Sequence, residues 1–280
     1  MYKLLSAGFA RLWKTKIFWF AAAAMFIFAA AVLGGQYRSS LEIPELDIKL
    51  NDFAFGYLVF IGVITSVFSS LFLGDEYSDG TIRNKLIVGH KRINIYLSNL
   101  IVTIAAALMM CAAFLAVIFS AGIPLLGFFD LEGIGLSGLI AIFIGNGFTV
   151  CAFCAILTAI SMLIQNKAVA AIVSVLGMMI LLFAAISLQL RIDEPEFLEG
   201  IEIVNGVFRE VEGSTPNPMY LTGIKRSVYE YAFDIIPSGQ ALQYSGMAVS
   251  NPWIFSLYSI ALSAVSTFTG LFFFCKKDIK

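Results

Sequence analysis

The sequence predicts an all-α polytopic membrane protein with six transmembrane helices. Its 280 residues are 59% hydrophobic and only 13% charged, with a mean hydropathy of +0.88, whereas soluble domains carry about 25% charged residues. Six apolar runs approach or exceed the ~20 residues that a spanning helix needs. None contains Asp, Glu, Lys or Arg, each of which costs about 2.5–3.5 kcal/mol at mid-membrane. The runs are Ile17–Gln36, Phe53–Leu73, Leu97–Ala121, Leu136–Ile164, Ala168–Gln189 and Pro252–Cys275.

Residues 1–16 predict an amphipathic helix that lies in the membrane interface before the first span. Basic residues occupy one face of the helical wheel (Lys3, Arg11 and Lys14) and apolar residues the other (Tyr2, Leu5, Phe9, Leu12 and Trp13), the pattern of an interfacial helix. The alternative is a basic flank that only sets topology. The first span is longer than the 7–15 residues typical of a cleavable signal, so we expect it to be retained.

The distribution of charge predicts the orientation. Twelve of the 18 Lys and Arg residues flank the spans on the side of the two termini, while 15 of the 19 acidic residues lie on the other side. Lys and Arg accumulate in cytoplasmic flanks. The sequence therefore predicts a multi-pass protein of the bacterial plasma membrane with both termini in the cytoplasm.

The loop from residue 190 to residue 251 is the largest polar segment and is predicted to be extracellular. Ile224, Val228, Tyr231 and Ile235 recur at the spacing of one helical face. Pro237 and Gly239 end that helix before a second short helix begins. We expect small helices that pack on the outer mouth of the bundle.

A polar tract at residues 74–96 separates the second and third spans, and it predicts a short cytoplasmic helix from Thr81 to Val88. Asp79 or Thr81 is available as the N-cap, and Gly89 fits the C′ position. Ile82 and Leu86 share a face beside two basic residues. An exposed apolar face on a cytoplasmic helix predicts a protein partner.

The stretch DEYSDGTIRNKLIVGHKRINIYLSNLI resembles the inner loop of the type-2 class of ATP-binding-cassette (ABC) transporter permeases, especially the small exporter permeases of Gram-positive bacteria. Matching positions are held by Glu76, Gly80, Thr81, Arg83, Leu86, Gly89 and Arg92. The six-span layout and the helix pair after span five extend the resemblance over nearly the whole chain, read as one permease domain, 1–280. The resemblance implies that this loop, including Ile82 and Lys85, is a coupling helix docked on a cytosolic ATPase.

The resemblance also implies the partners. Two ABC ATPase subunits would bind the ATP and Mg²⁺, while this chain would bind no cofactor itself and would pair with a second permease, commonly a copy of itself, in membrane lipid. No nucleic-acid partner is expected, because the chain has no basic block. The sequence lacks G-x-x-x-x-G-K-[ST], H-E-x-x-H and G-x-S-x-G, and its spans hold no ionisable pair. These features disfavour a membrane enzyme.

Small and hydroxyl residues line parts of the spans. They are either close packing contacts between helices or the polar wall of a translocation path, for which the candidates are Asn146, Ser256, Ser259, Ser263 and Ser266. We expect outward transport of an amphipathic or hydrophobic cargo, with a peptide toxin or bacteriocin as the first candidate. Drugs, lipids and sodium are alternatives, as is a non-transporting role in signalling or immunity.

Overall fold

The computed structural model describes residues 1–43, 47–131, 134–204, 207–247, 249 and 251–278, with the backbone alone for 199–204 and 207–215. Within these ranges six helical segments are long and apolar enough to cross a membrane, which confirms the all-α polytopic class. The six segments are Lys16–Glu42, Leu50–Ser78, Arg92–Leu126, Gly135–Leu163, Lys167–Ile192 and Pro252–Lys276. Most of them extend past the predicted apolar runs, because the helices continue into their polar flanks.

The helices and strands follow one another in a simple order. They are α1 (Tyr2–Lys14), α2 (Lys16–Glu42), α3 (Tyr57–Ser78), α4 (Thr81–Ile87), α5 (Arg92–Val117), α6 (Ile123–Leu126), α7 (Gly135–Leu163), α8 (Lys167–Ile192), β1 (Phe197–Val204), β2 (Val207–Pro216), α9 (Gly223–Ile235), α10 (Pro237–Ser245) and α11 (Pro252–Lys276). The centre of the bundle is formed by α3 and α7. Around them α8 packs on α3, α11 runs along α7, and α2 lies against α5.

Six crossings place α1, α4 and the end of α11 on one side of the membrane. We call this the basic side, because most Lys and Arg residues lie there, and we call the opposite side, with α9, α10 and the two strands, the acidic side. Which side faces the cytoplasm is taken up under the proposed function.

The amphipathic helix α1 lies against the start of α5. Its buried residues are Leu4, Gly8 and Leu12, whereas Tyr2 is 83% exposed. A Cβ at position 8 would stand 2.8 Å from Cγ2 of Val102, so glycine allows the two helices to approach. The predicted helix is present, but part of its apolar face points away from the protein, as expected for a helix that also contacts lipid.

Proline disturbs the acidic end of the third span. Residues Ile118–Gly122 form a π-helical turn between α5 and α6, and Pro124 lies two residues after its end. Proline has no N–H to donate, and its ring clashes with the carbonyl four residues earlier. The wider π turn accommodates that clash, so the span continues rather than breaks.

The loop between spans five and six contains both predicted helices and an element that was not predicted. β1 and β2 pair antiparallel, with Ile203 opposite Phe208. α9 and α10 pack against the bundle, but the apolar stripe of α9 does not face it, because its residues are 50–85% exposed (Ile224, Val228, Tyr231 and Ile235). Phe233, on the opposite face, is buried instead. Periodicity identified the helix correctly but did not show which face points inward.

Candidate functional site

A buried carboxylate joins four helices at the basic side. Glu76, near the end of α3, is 2% exposed. Its Oε1 atom accepts from Arg11 Nη1 at 2.7 Å and from Lys85 Nζ at 2.5 Å. Its Oε2 atom accepts from Asn99 Nδ2 at 2.9 Å. Since these donors lie on α1, α4 and α5, one side chain connects the interfacial helix, the short helix and two spans. We call these four residues the Glu76 cluster.

Electrostatics explains why the carboxylate is tolerated at this depth. A buried charge is costly unless it is paired and hydrogen-bonded, and Glu76 meets two cations and an amide. The guanidinium of Arg11 also stacks on Phe72, with Cζ 3.8 Å from the ring centroid. Burial lowers the pKa of Arg11, and the nearby Glu76 carboxylate opposes that shift. Arg11 stays cationic, because an arginine pKa lies far above neutrality.

Contacts beside the cluster attach α3 to the fourth and fifth spans. Tyr77 Oη donates to the Met162 carbonyl oxygen at 2.5 Å, and Lys167 Nζ lies 3.2 Å from Asp75 Oδ1. A Cβ at Gly74 would stand 2.4 Å from the Cβ of Lys167, so α3 and α8 meet at a glycine. The end of α3 is therefore attached to α7 and α8 as well as to the helices of the Glu76 cluster.

Glycines define both ends of α4. The N-cap is Gly80 in the left-handed conformation (φ +66°), without a side-chain capping bond, so the prediction of Asp79 or Thr81 as N-cap is wrong. At the other end Gly89 has φ +92°, its N–H donates to Leu86 O, and the His90 N–H donates to Lys85 O. These two bonds form a Schellman motif. Gly89 thus holds the predicted C′ position.

The apolar side of α4 is oriented differently from the sequence prediction. Ile82 is 1% exposed and Leu86 is half-buried against the core, whereas Ile87 and Val88 are 74% and 77% exposed. The prediction that Ile82 and Leu86 form the exposed face is therefore wrong. Because α4 lies against the bundle, its i, i+4 pair faces inward, and the last turn presents the free apolar surface. Arg83 is exposed beside it.

Arg92 does not join the Glu76 cluster. Its Nη1 donates to Phe274 O at 3.0 Å and to the carbonyl oxygen of Lys277. Basic side chains commonly satisfy the free carbonyls at a helix C-terminus. Arg92 therefore attaches the start of α5 to the end of α11. Of the predicted coupling residues, the structure brings Glu76 and Lys85 into contact and places Thr81 in the first turn of α4.

The residues predicted for a translocation path occupy two settings. Ser259 and Ser256 are buried against neighbouring helices, while Ser263 and Ser266 are half-buried. Ser256 Oγ and Ser263 Oγ donate to carbonyl oxygens four residues earlier in α11, the ordinary intrahelical bond of serine. Asn146 is 1% exposed in the middle of α7. Both predicted roles, close packing between helices and the wall of a translocation path, stay predictions.

A second polar cluster, which the sequence did not predict, lies where α10 enters the bundle. Gln240 is fully buried; its Oε1 accepts from Ser259 Oγ at 2.5 Å and from Thr149 Oγ1 at 3.3 Å. Its Nε2 donates to the Asp234 carbonyl oxygen at 2.8 Å. Nearby, Tyr244 packs over Gly145, where a Cβ would stand 2.0 Å from the tyrosine Oη. α10 thus packs against α3, α7 and α8, and Gln240 bonds it to both α7 and α11.

Arg11 and Asn99 were also missed. The sequence predicts Arg11 only as part of the basic face of the interfacial helix, and no motif singles out Asn99. The available signal was a polar residue at the membrane-buried start of a span, because such groups need a partner. No pattern in the sequence identifies Glu76 as that partner.

Comparison with known proteins gives one result. The model of a family described as "ABC-2 family transporter protein" matches residues 4–185, about two thirds of the chain. The matched region includes the whole Glu76 cluster. No curated protein matches the chain.

Proposed function

The chain belongs to the ABC-2 transporter family, and from that premise we propose that it is the permease of an ATP-driven exporter whose ATPase docks on α4. Members of this family are multi-pass transport subunits that work with ABC ATPases. In this proposal ATP and Mg²⁺ bind to the ATPase, and this chain supplies the membrane pathway.

The Glu76 cluster is the observation that carries the proposal. The exposed pair Ile87–Val88 offers the apolar contact for an ATPase groove, with Arg83 beside it. Movement of α4 would be transmitted to α3 through the Lys85–Glu76 bond, because Glu76 is almost fully buried and its partners are hydrogen-bonded to it. Arg11 and Asn99 extend the connection to α1 and α5.

In this proposal the basic side faces the cytoplasm. The excess of Lys and Arg on that side supports this orientation, and a cytosolic ATPase requires it, since α4 lies there. We further propose two ATPase subunits and a second copy of this chain. The charge-free spans favour an amphipathic or hydrophobic cargo, with a peptide toxin or bacteriocin as the first candidate.

Co-purification tests the ATPase contact. The tagged chain is expressed with its cognate ABC ATPase, and bound ATPase and ATP hydrolysis are measured. The variant with Ile87→Asp and Val88→Asp should lose the ATPase, because two charges replace the exposed apolar pair. Ile224→Asp is the matched control: it changes an 85% exposed isoleucine on the acidic side and should retain the ATPase. The proposal fails if no ATPase co-purifies, or if the double variant binds it as well as the unmodified chain.

A further inference from the structure

An apolar groove lies between the start of α5 and the last turns of α11, on the basic side. It is a shallow, open depression of about 620 Å³ along α11 that reaches Ile93 of α5. Thr269 contributes the main polar side chain of the described lining. The groove is lined by Ile93, Phe268, Thr269, Leu271, Phe272, Phe273 and Cys275.

The groove has a cationic end. A neighbouring depression of about 390 Å³ shares Phe273 with the groove and is lined also by Lys276 and Lys277. Lys276 is exposed, with Nζ 4.1 Å from the Phe272 ring centroid. The acidic residue Asp278 directly follows the two lysines, and its backbone carbonyl oxygen accepts a hydrogen bond from Gln165 Nε2.

The apolar and cationic parts are arranged along the membrane normal. Phe268 precedes Lys276 by eight residues, which corresponds to about 12 Å of helix. The lysines follow the end of the apolar segment, at the level where a spanning helix leaves the hydrocarbon. An occupant of this groove must therefore be apolar for most of its length and anionic at one end.

We propose that this groove binds an anionic phospholipid, with its phosphate at the exposed Lys276 and an acyl chain along α11; Lys277 Nζ already donates to the Leu163 carbonyl oxygen and contributes its charge nearby. Basic pockets between helices at this depth suit anionic headgroups. A second copy of the chain fits less well, because symmetric pairing of this face would bring two lysine-rich rims together. The assignment of the lipid to the inner leaflet rests on the orientation in the proposed function.

The bound lipid would brace a contact that the protein already makes. Arg92 joins the start of α5 to the end of α11 through the carbonyl oxygen of Phe274. The groove lies between the same two helices, so the lipid would hold them together along the neighbouring surface.

Photo-crosslinking tests this proposal on the full chain in lipid nanodiscs. Phosphatidylglycerol carrying a photoreactive acyl chain should label peptides that contain residues 268–275, and phosphatidylcholine with the same acyl chain should label them much less. Lys276→Gln should weaken the anionic preference about fivefold, since one basic residue near the surface is worth roughly 1 kcal/mol. Lys276→Arg should preserve it. Lys3→Gln removes the same charge from exposed α1 and should leave labelling unchanged.

Three results would overturn the proposal. The first is equal labelling by both lipids, the second is labelling spread evenly over the lipid-facing side of α8, and the third is lipid-independent crosslinking between Cys275 residues of two copies. Cys275 is exposed in the groove, so the third result would show a protein occupant. ATPase binding is measured in a separate preparation, and failure of lipid capture therefore leaves the proposed function standing.

Discussion

Lys85 Nζ and Glu76 Oε1 lie 2.5 Å apart, and this bond attaches the short helix α4 to the span α3. The Lys85 side chain is 15% exposed and that of Glu76 is 2% exposed. Water and salt therefore screen the pair less than they screen a surface ion pair. The pair gives α4 a fixed position relative to α3, which a flexible loop between spans would lack.

Replacement of Glu76 should both destabilise and uncouple the protein. Glu76→Ala leaves Arg11, Lys85 and Asn99 without their shared acceptor. Removing one partner of a buried ion pair costs about 3–5 kcal/mol, so the thermal midpoint in detergent should fall clearly. ATP hydrolysis by the co-purified ATPase should become independent of cargo. Thermal unfolding and the ratio of transport to hydrolysis measure the two effects.

Glu42→Ala provides the matched control for that change. Glu42 pairs with Arg38 one turn earlier on α2, but the two side chains are 58% and 79% exposed. Exposed i, i+4 pairs contribute about 0.3–0.5 kcal/mol, so stability and coupling should barely change. If both variants shift the midpoint equally, the Glu76 cluster does not stabilise the bundle in the way described.

The left-handed backbone at Gly89 should make this position intolerant of alanine. Gly89 has φ +92°, and a Cβ added at this position would have no neighbouring heavy atom within 4 Å. A substitution therefore tests the backbone conformation alone. Gly89→Ala should cost about 1 kcal/mol and loosen the end of α4. Gly89→Asn should cost less, because asparagine adopts positive φ more readily. Thermal midpoints compare the two, and an unchanged midpoint in Gly89→Ala would contradict the assigned Schellman end.

Hydropathy predicted the spans well because the cost of burying charge is local to each segment. The same reasoning failed for contacts between distant segments. Arg11 and Glu76 are 65 positions apart, and no pattern in either segment specifies the other. The prediction of the inward face of α4 failed for a related reason. Both the Ile82–Leu86 side and the Ile87–Val88 end are apolar, and only packing against the bundle decides which of them is buried.

The sequence does contain a signal for the strand pair. Asn205-Gly206 separates two stretches rich in Ile, Val and Phe, and Asn-Gly between such stretches is a strong hairpin signal. By contrast, the burial of Gln240 could not be predicted from the sequence. A glutamine in a short helix outside the spans is usually exposed, and only the packing of α10 in the bundle buries this one.

The orientation is tested by cysteine labelling in intact cells. In a Cys275→Ser background, Lys225→Cys on α9 should react with a membrane-impermeant maleimide, because Lys225 is exposed on the acidic side. Lys3→Cys on α1 should react only after the membrane is permeabilised. Of the three remaining cysteines, Cys111 and Cys154 are buried and Cys151 is half-buried within α7, and the single variant without an added cysteine measures their background. The opposite labelling pattern would reverse the proposed topology and separate α4 from a cytosolic ATPase.

Gly145→Ala should displace α10 from the bundle. The added Cβ would stand 2.0 Å from Tyr244 Oη and 2.6 Å from its Cζ, and Tyr244 is fully buried, so the ring cannot move aside freely. Overpacking of this kind typically costs about 1–3 kcal/mol. Gly147→Ala, two residues along the same helix with nothing within 4 Å of its Cβ, should be neutral or slightly stabilising. Adding Tyr244→Phe should restore part of the thermal midpoint, because it removes the nearest atom but keeps the ring. Equal midpoints for the two glycine variants would mean that α10 is not seated against α7.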